Sequence, residues 1–290
     1  MLSRPILDRI GWLLIVGVLA LTACGGAPPS PLDAAKAALT TGDTAKAIET
    51  LEKAVADAPG SAEAHLALGQ AYFRAGRKDV AQKQFEAGFT LDAAAAWPIP
   101  VQHADEVFLA GNIHAGLNQL EEAKAAYESA LKLDPKKAAA YTNLGVIYYQ
   151  QGNLDGAITQ LKKALEIEPQ DAETQYMLGA AFVQKNDLAE AEKSFQQALA
   201  VKPDLAQAHI GLGNVYLLKK QYDQALTVLQ QATKLQPDVP EGWLALGQVL
   251  AVQGDTNAAA AALDKCLQLS QPGTGLNMKC QEVRQQIGTP

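Results

Sequence analysis

Few residues in this 290-residue chain have the type and spacing for covalent or metal chemistry. The six serines (Ser3, Ser30, Ser61, Ser129, Ser194 and Ser270) sit in no nucleophile-elbow context, so serine hydrolysis has no candidate. No glycine-rich phosphate loop follows a strand-like run. His103 and His114 are eleven apart and could share a helical face, yet no Cys or acidic partner stands at zinc-motif spacing. His65 and His209 read as packing residues. Glu121-Glu122 and Lys162-Lys163 read as solvated helix charges. These residues give no catalytic site, no metal site and no cofactor. Cysteine is the informative type: Cys24 follows a short apolar run directly, while Cys266 and Cys280 stand near the C-terminus.

The run before Cys24 concerns address. Arg4 and Arg9 precede the uncharged stretch Ile10 to Leu21, a basic segment followed by an apolar one too short for the roughly 20 residues a membrane-spanning helix needs. It therefore reads as a signal peptide over residues 1–23. Leu21-Thr22-Ala23-Cys24-Gly25-Gly26 resembles the lipobox of bacterial lipoproteins, in which the cysteine is acylated, palmitate being one such chain. That resemblance implies a lipid anchor at Cys24, and Gly25 in place of Asp implies onward export to an outer membrane facing a periplasm, where the organism has one. Residues 24–31, ending GGAPPSP, read as a flexible tether. Loss of residues 1–23 would remove Arg4, Arg9 and Asp8 and change the net charge from −7 to −8. Anionic lipid headgroups would not attract that charge, so attachment falls to acyl chains, at about 0.8 kcal/mol per buried CH₂.

The remaining elements follow one period. Pro135, Pro169, Pro203 and Pro237 lie 34 residues apart, a coincidence of about one in ten thousand at ordinary proline frequency. With that proline as position 32, Gly recurs at position 8 (Gly69, Gly111, Gly145, Gly179, Gly213, Gly247) and Ala at position 20 from Ala47 to Ala259. Position 24 is always large and apolar: Leu51, Phe85, Tyr127, Leu161, Phe195, Leu229 and Leu263. Within a unit such as residues 138–171, apolar residues recur at helical spacing on either side of Gln151-Gly152-Asn153, predicting two antiparallel amphipathic helices. A glycine repeated inside a helix, at a cost of about 1 kcal/mol, marks a place where a neighbouring helix comes too close for a side chain, and Ala at position 20 offers the matching surface. The proline is expected in the first turn of the next helix, where a missing N–H costs little.

Tyr141, Leu144, Gly145, Tyr148, Ala157, Leu161, Ala164 and Pro169 stand at offsets that resemble the tetratricopeptide repeat. The resemblance implies an all-α fold, a right-handed superhelical solenoid of about seven helix-turn-helix repeats with a C-terminal capping helix. Residues 32–95 hold repeats 1–2, residues 96–103 (AWPIPVQH) form a Trp/Pro insert, residues 104–271 hold repeats 3–7, and residues 272–290 form the cap and tail. The insert reads either as a tolerated loop with Trp97 folded onto the solenoid edge or as an elbow that touches a partner. Cys266 on the last repeat and Cys280 on the cap are a disulfide candidate, as the only other thiols in an exported chain.

The family binds peptides or partner helices on its concave face. Its inward positions place Phe108, Asn112, Asn143, Val146, Tyr149, Tyr176, Ile210 and Asn214 in a partner-binding groove, with Tyr149 and Tyr176 as one aromatic patch and the asparagines as amides along the same side. Aromatic and amide side chains suit a protein or peptide partner. A pI near 5.2 disfavours nucleic acid. The expected function is a non-enzymatic, membrane-anchored scaffold, in envelope assembly of the pilus or secretion type. The alternative is a non-catalytic accessory regulator of an envelope enzyme or polysaccharide-processing complex. For the anchor, metabolic labelling with an alkyne fatty acid should tag the wild type and miss Cys24→Ala; label retained on Cys24→Ala, or absent from the wild type, overturns the lipoprotein reading.

Overall fold

A computed structural model describes residues 29–97 and 103–287. Cys24 and the signal-like segment lie outside the described residues, as do residues 98–102 of the insert. Among the described residues there are fifteen α-helices and no strand. Their contacts divide into two units, Met1–Val101 and Gln102–Pro290. The first holds α1 (Pro31–Thr40) paired with α2 (Thr44–Asp57), and α3 (Ala62–Arg74) paired with α4 (Lys78–Leu91). The second holds the pairs α5 (Ala104–Gly116) with α6 (Leu120–Leu133), α7 (Ala138–Gln150) with α8 (Leu154–Ile167), and α9 (Ala172–Gln184) with α10 (Leu188–Val201). It continues with α11 (Ala206–Leu218) and α12 (Tyr222–Leu235), then α13 (Pro240–Val252) and α14 (Thr256–Leu269), and ends on the single helix α15 (Gly275–Gln286). No described helix is long and apolar enough to cross a membrane.

The pairs are made by a lock between positions 8 and 24. A Cβ built on Gly69, Gly111, Gly145, Gly179, Gly213 or Gly247 would stand 2.5–2.7 Å from the position-24 side chain of its own repeat. Those side chains, Leu51 through Leu263, are at most 1% exposed. The close approach therefore comes from the large side chain, not from the position-20 alanine expected to supply it. The alanines are themselves fully buried, and the carbonyls of Ala157 and Ala259 would stand 3.3 and 3.4 Å from a Cβ added at Gly145 and Gly247. In the first repeat Ala35 takes the glycine's place, buried at 1%.

Each pair is joined by a tight connection. In every repeat the N–H two residues beyond the C-cap of the first helix bonds back across six residues, as Asn153 does to the Tyr148 carbonyl at 2.9 Å and Gln221 to Tyr216 at 2.8 Å. This closure needs a left-handed residue just before it. The residues there are Gly42, Gly76, Asn118, Gly152, Asn186, Lys220 and Gly254, with φ from 58° to 86°. The next residue opens the second helix, and in four repeats it is Asp or Asn whose side chain accepts a backbone N–H: Asp43 from Lys46, Asn153 from Gly156, Asp187 from Glu190 and Asp255 from Ala258.

The prolines sit elsewhere than expected. Pro135 occupies the second place of a four-residue turn closed by Lys137 N–H on the Asp134 carbonyl at 3.2 Å, and α7 starts three residues later. Pro169, Pro203 and Pro237 repeat this geometry. The fixed φ of proline presets that turn position, so the residue shapes the inter-repeat turn and not the helix start. Pro31 and Pro240, by contrast, do begin helices. The first helix thus starts one residue inside the expected tether, with Ser30 accepting the Asp33 N–H, because a first-turn proline gives up no hydrogen bond.

The ends are closed locally. Trp97 packs edge-on against Phe85 and Phe89, at 5.4 and 5.8 Å between centroids, on the side of α4. At the C-terminus a disulfide joins Cys266 of α14 to Cys280 of α15 across a Cα separation of 6.3 Å, within the range such bonds span. Leu263, Cys266 and Cys280 are fully buried, with Leu276, Val283 and Ile287 packed against them.

Two substitutions test this account. Phe195 lies between Gly179 and Gly211, whose added Cβ atoms would meet its ring at 2.7 and 2.5 Å, so the ring has nowhere to retreat. Gly179→Ala should destabilise the chain by about 1–2 kcal/mol, overpacking outweighing the gain of about 1 kcal/mol in helix propensity, whereas Gly116→Ala, with nothing within 4 Å, should not destabilise it. Lys220, held at φ 58° without the freedom of glycine, should give the opposite result: Lys220→Gly is expected to stabilise by about 1 kcal/mol. Urea midpoints of the three variants decide both.

Candidate functional site

The inner helices α5, α7, α9, α11 and α13 carry their positions 5, 9 and 12 on one face, and in the second unit α7, α9, α11 and α13 touch in sequence. The expected groove residues fall into two hollows along that face. The smaller, about 280 Å³, is lined by Asn112, Tyr127, Asn143, Val146 and Gln150. The larger, about 440 Å³, is lined by Tyr149, Tyr176, Val183, Ile210, Asn214 and Glu241. Its volume lies in the range of ligand-binding clefts. Phe108 lines neither hollow. It packs at 5.6 Å against Tyr127 with the Lys137 ammonium 4.7 Å from its ring, and is therefore a packing residue.

Polar groups in the small hollow are partly committed to one another. Asn112 Oδ1 accepts from the Tyr127 hydroxyl at 2.8 Å and from Asn143 Nδ2 at 2.9 Å. Burial pushes the Tyr127 hydroxyl up to about 12, so it remains a donor at any ordinary pH. The asparagines are thus not one continuous row: Asn112 and Asn143 pair across α5 and α7, and Asn214 stands apart in the larger hollow.

The larger hollow is lined by both Tyr149 and Tyr176. Gln184 donates to the Tyr149 hydroxyl at 2.8 Å, which fixes that ring's tip. The Tyr176 hydroxyl is held above its ordinary range first by burial, then by Tyr149 and by the negative charges of Glu173 and Glu241. Its ring lies 5.9 Å from Phe195. Phe195 itself, a position-24 residue of α10, lies buried at the base of the hollow, packed against Gly211, where any side chain would displace its ring. Sequence reading did not find this floor. The available signal was Gly211, a second glycine two residues before the recurrent one, where other repeats carry larger residues such as Asn143 and Met177.

Other singled-out residues act in the frame. His65 Nε2, His209 Nε2 and Trp243 Nε1 donate to the carbonyls of Pro59, Pro203 and Pro237, six residues earlier, at 3.0, 2.9 and 2.8 Å. Position 4 thereby fastens the inter-repeat turn. His114 is buried with Nδ1 2.8 Å from Gln119 Oε1, and His103 precedes α5 as an exposed residue. Lys162 and Lys163 are not simply solvated: their ammonium groups lie 5.5 and 5.6 Å from the Phe182 and Tyr141 rings. Glu121 accepts from Gln151 of the next repeat at 2.8 Å.

Family models described as tetratricopeptide repeat match residues 32–96, 108–172, 182–249 and 240–272, which together span well over half of the chain. The chain belongs to the tetratricopeptide-repeat family. No curated protein matches it in sequence. Solved structures do resemble it. MamA shares 26% identity over 55% of this chain and 93% of its own, with a TM-score of 0.50. The pilF protein of Pseudomonas aeruginosa has a TM-score of 0.58 at 18% identity, over 76% of this chain and 96% of its own. YrrB, described as a TPR protein with an unusual peptide-binding site, has a TM-score of 0.51 at 23% identity, over 68% and 97%. The last two likenesses are of fold.

Proposed function

We propose that this tetratricopeptide-repeat chain is a membrane-anchored, extracytoplasmic scaffold that holds a protein or peptide partner in the groove of α7, α9 and α11. The larger hollow carries this reading. It presents two half-buried tyrosines, an aliphatic wall at Val183 and Ile210, and an outward amide at Asn214. Aromatic side chains of this kind bury much area on binding and lose little entropy, and an amide pairs with a partner's backbone. The motif at Cys24 supports anchoring by acyl chains in a cell envelope, and its combination with tandem repeats supports envelope assembly as the setting.

Crosslinking in the native envelope, followed by a pull-down after solubilisation, tests the reading. Tyr149→Ala/Tyr176→Ala should weaken capture of the wild-type partners by at least about 2 kcal/mol, roughly thirtyfold, while Lys193→Ala on the exposed side of α10 should leave capture unchanged. A folded double-tyrosine variant that retains every wild-type partner overturns the groove assignment.

A further inference from the structure

We infer that the occupant of the larger hollow is a segment anchored by a lysine or arginine beside an apolar residue. This rests on the groove reading above and adds the chemistry of what fills it.

Position 2 of the inner helices is acidic in four repeats, at Glu63, Asp105, Glu173 and Glu241. Three of these have a cation within their own unit: Glu63 pairs with Lys36, Asp105 with Lys137, and Glu173 with Lys202 at 3.1 Å. Glu241 has no ion pair or side-chain hydrogen bond among the described residues, and it lines the hollow. No Lys, Arg or His lines that hollow with it. Glu241 is also in the first turn of α13, the helix end at which the dipole favours an acidic side chain.

The walls suit the rest of a basic side chain. A lysine or arginine has an apolar stem that packs along Ile210 while its head stays near water and carboxylate. The faces of Tyr149 and Tyr176 attract a cation, and the half-buried Val183 and Ile210 take a neighbouring apolar residue. An acidic segment would meet Glu241 with no cation in the lining to offset it, a juxtaposition that electrostatic complementarity disfavours.

Selection of a phage-displayed random peptide library on the purified full chain tests this, with the enriched peptides then synthesised and measured by calorimetry. Enriched peptides should carry Lys or Arg next to an apolar residue. The tightest should weaken by about tenfold or more with Glu241→Gln, and similarly when its own basic residue becomes norleucine, while Glu241→Asp keeps most of the affinity. Added salt should weaken the wild type more than Glu241→Gln, because only the former holds the charge pair. Enrichment of peptides without a basic residue, or affinity unchanged by Glu241→Gln, overturns the inference. If such peptides are nevertheless lost with Tyr149→Ala/Tyr176→Ala, the groove reading stands without it. Indifference to the tyrosines as well, or no enrichment over an unrelated bait, overturns both.

Discussion

The contact between a missing side chain and a large one, repeated down the chain, is the constraint on which the rest of this structure depends. A glycine at position 8 lets the position-24 residue of the paired helix reach the helix backbone, and six such glycines would each clash at 2.5–2.7 Å if they bore a Cβ. Close packing turns a small misfit there into strain, because the interior has no free volume to absorb it. The lock also sets the distance between paired helices, which forces a short connection. That connection in turn demands the left-handed residue found in every repeat, even where the sequence supplies lysine.

Between repeats, the chain is joined at its edges. In the last four repeats the side chain just past the first helix reaches an acidic residue of the preceding repeat: Gln151 to Glu121, Lys185 to Asp155, Lys219 to Glu192 and Gln253 to Asp223. At the opposite end, ring N–H groups at position 4 bind the proline carbonyls. Exposed ion pairs contribute little stability each, so their value is in fixing how one pair stacks on the next. Edge fastening leaves the middle of the inner face without obligatory partners. Side chains there are free to differ from repeat to repeat, which is the condition for a groove with its own chemistry.

That chemistry differs along the face for physical reasons. Where Asn112, Asn143 and Tyr127 meet, hydrogen bonds close the polar groups on one another. Where Tyr149, Tyr176, Val183 and Ile210 line the larger hollow, the surface turns aromatic and apolar, and its one charged member has no cationic neighbour in the lining. The same molecule therefore offers a largely self-satisfied hollow and an open one, and the open one carries the functional reading.

The repeat and the helix pairs were legible in the sequence because each follows from residue type at a fixed period: a glycine, an alanine or a proline recurring every 34 residues reports a local constraint that is identical in each copy. Position 5, 9 and 12 residues were assigned to the inner face by the resemblance to the family, and Tyr149 and Tyr176 line one hollow there. Which atoms those residues spend on each other was not legible. Phe108 turned to packing, the asparagines divided between two hollows, Phe195 emerged as a floor, and the prolines moved into the turns, since each outcome depends on side chains from different helices competing for the same space. Periodicity specifies which face a residue shares. Only the packed tertiary structure decides whether its polar atoms and its ring are already taken.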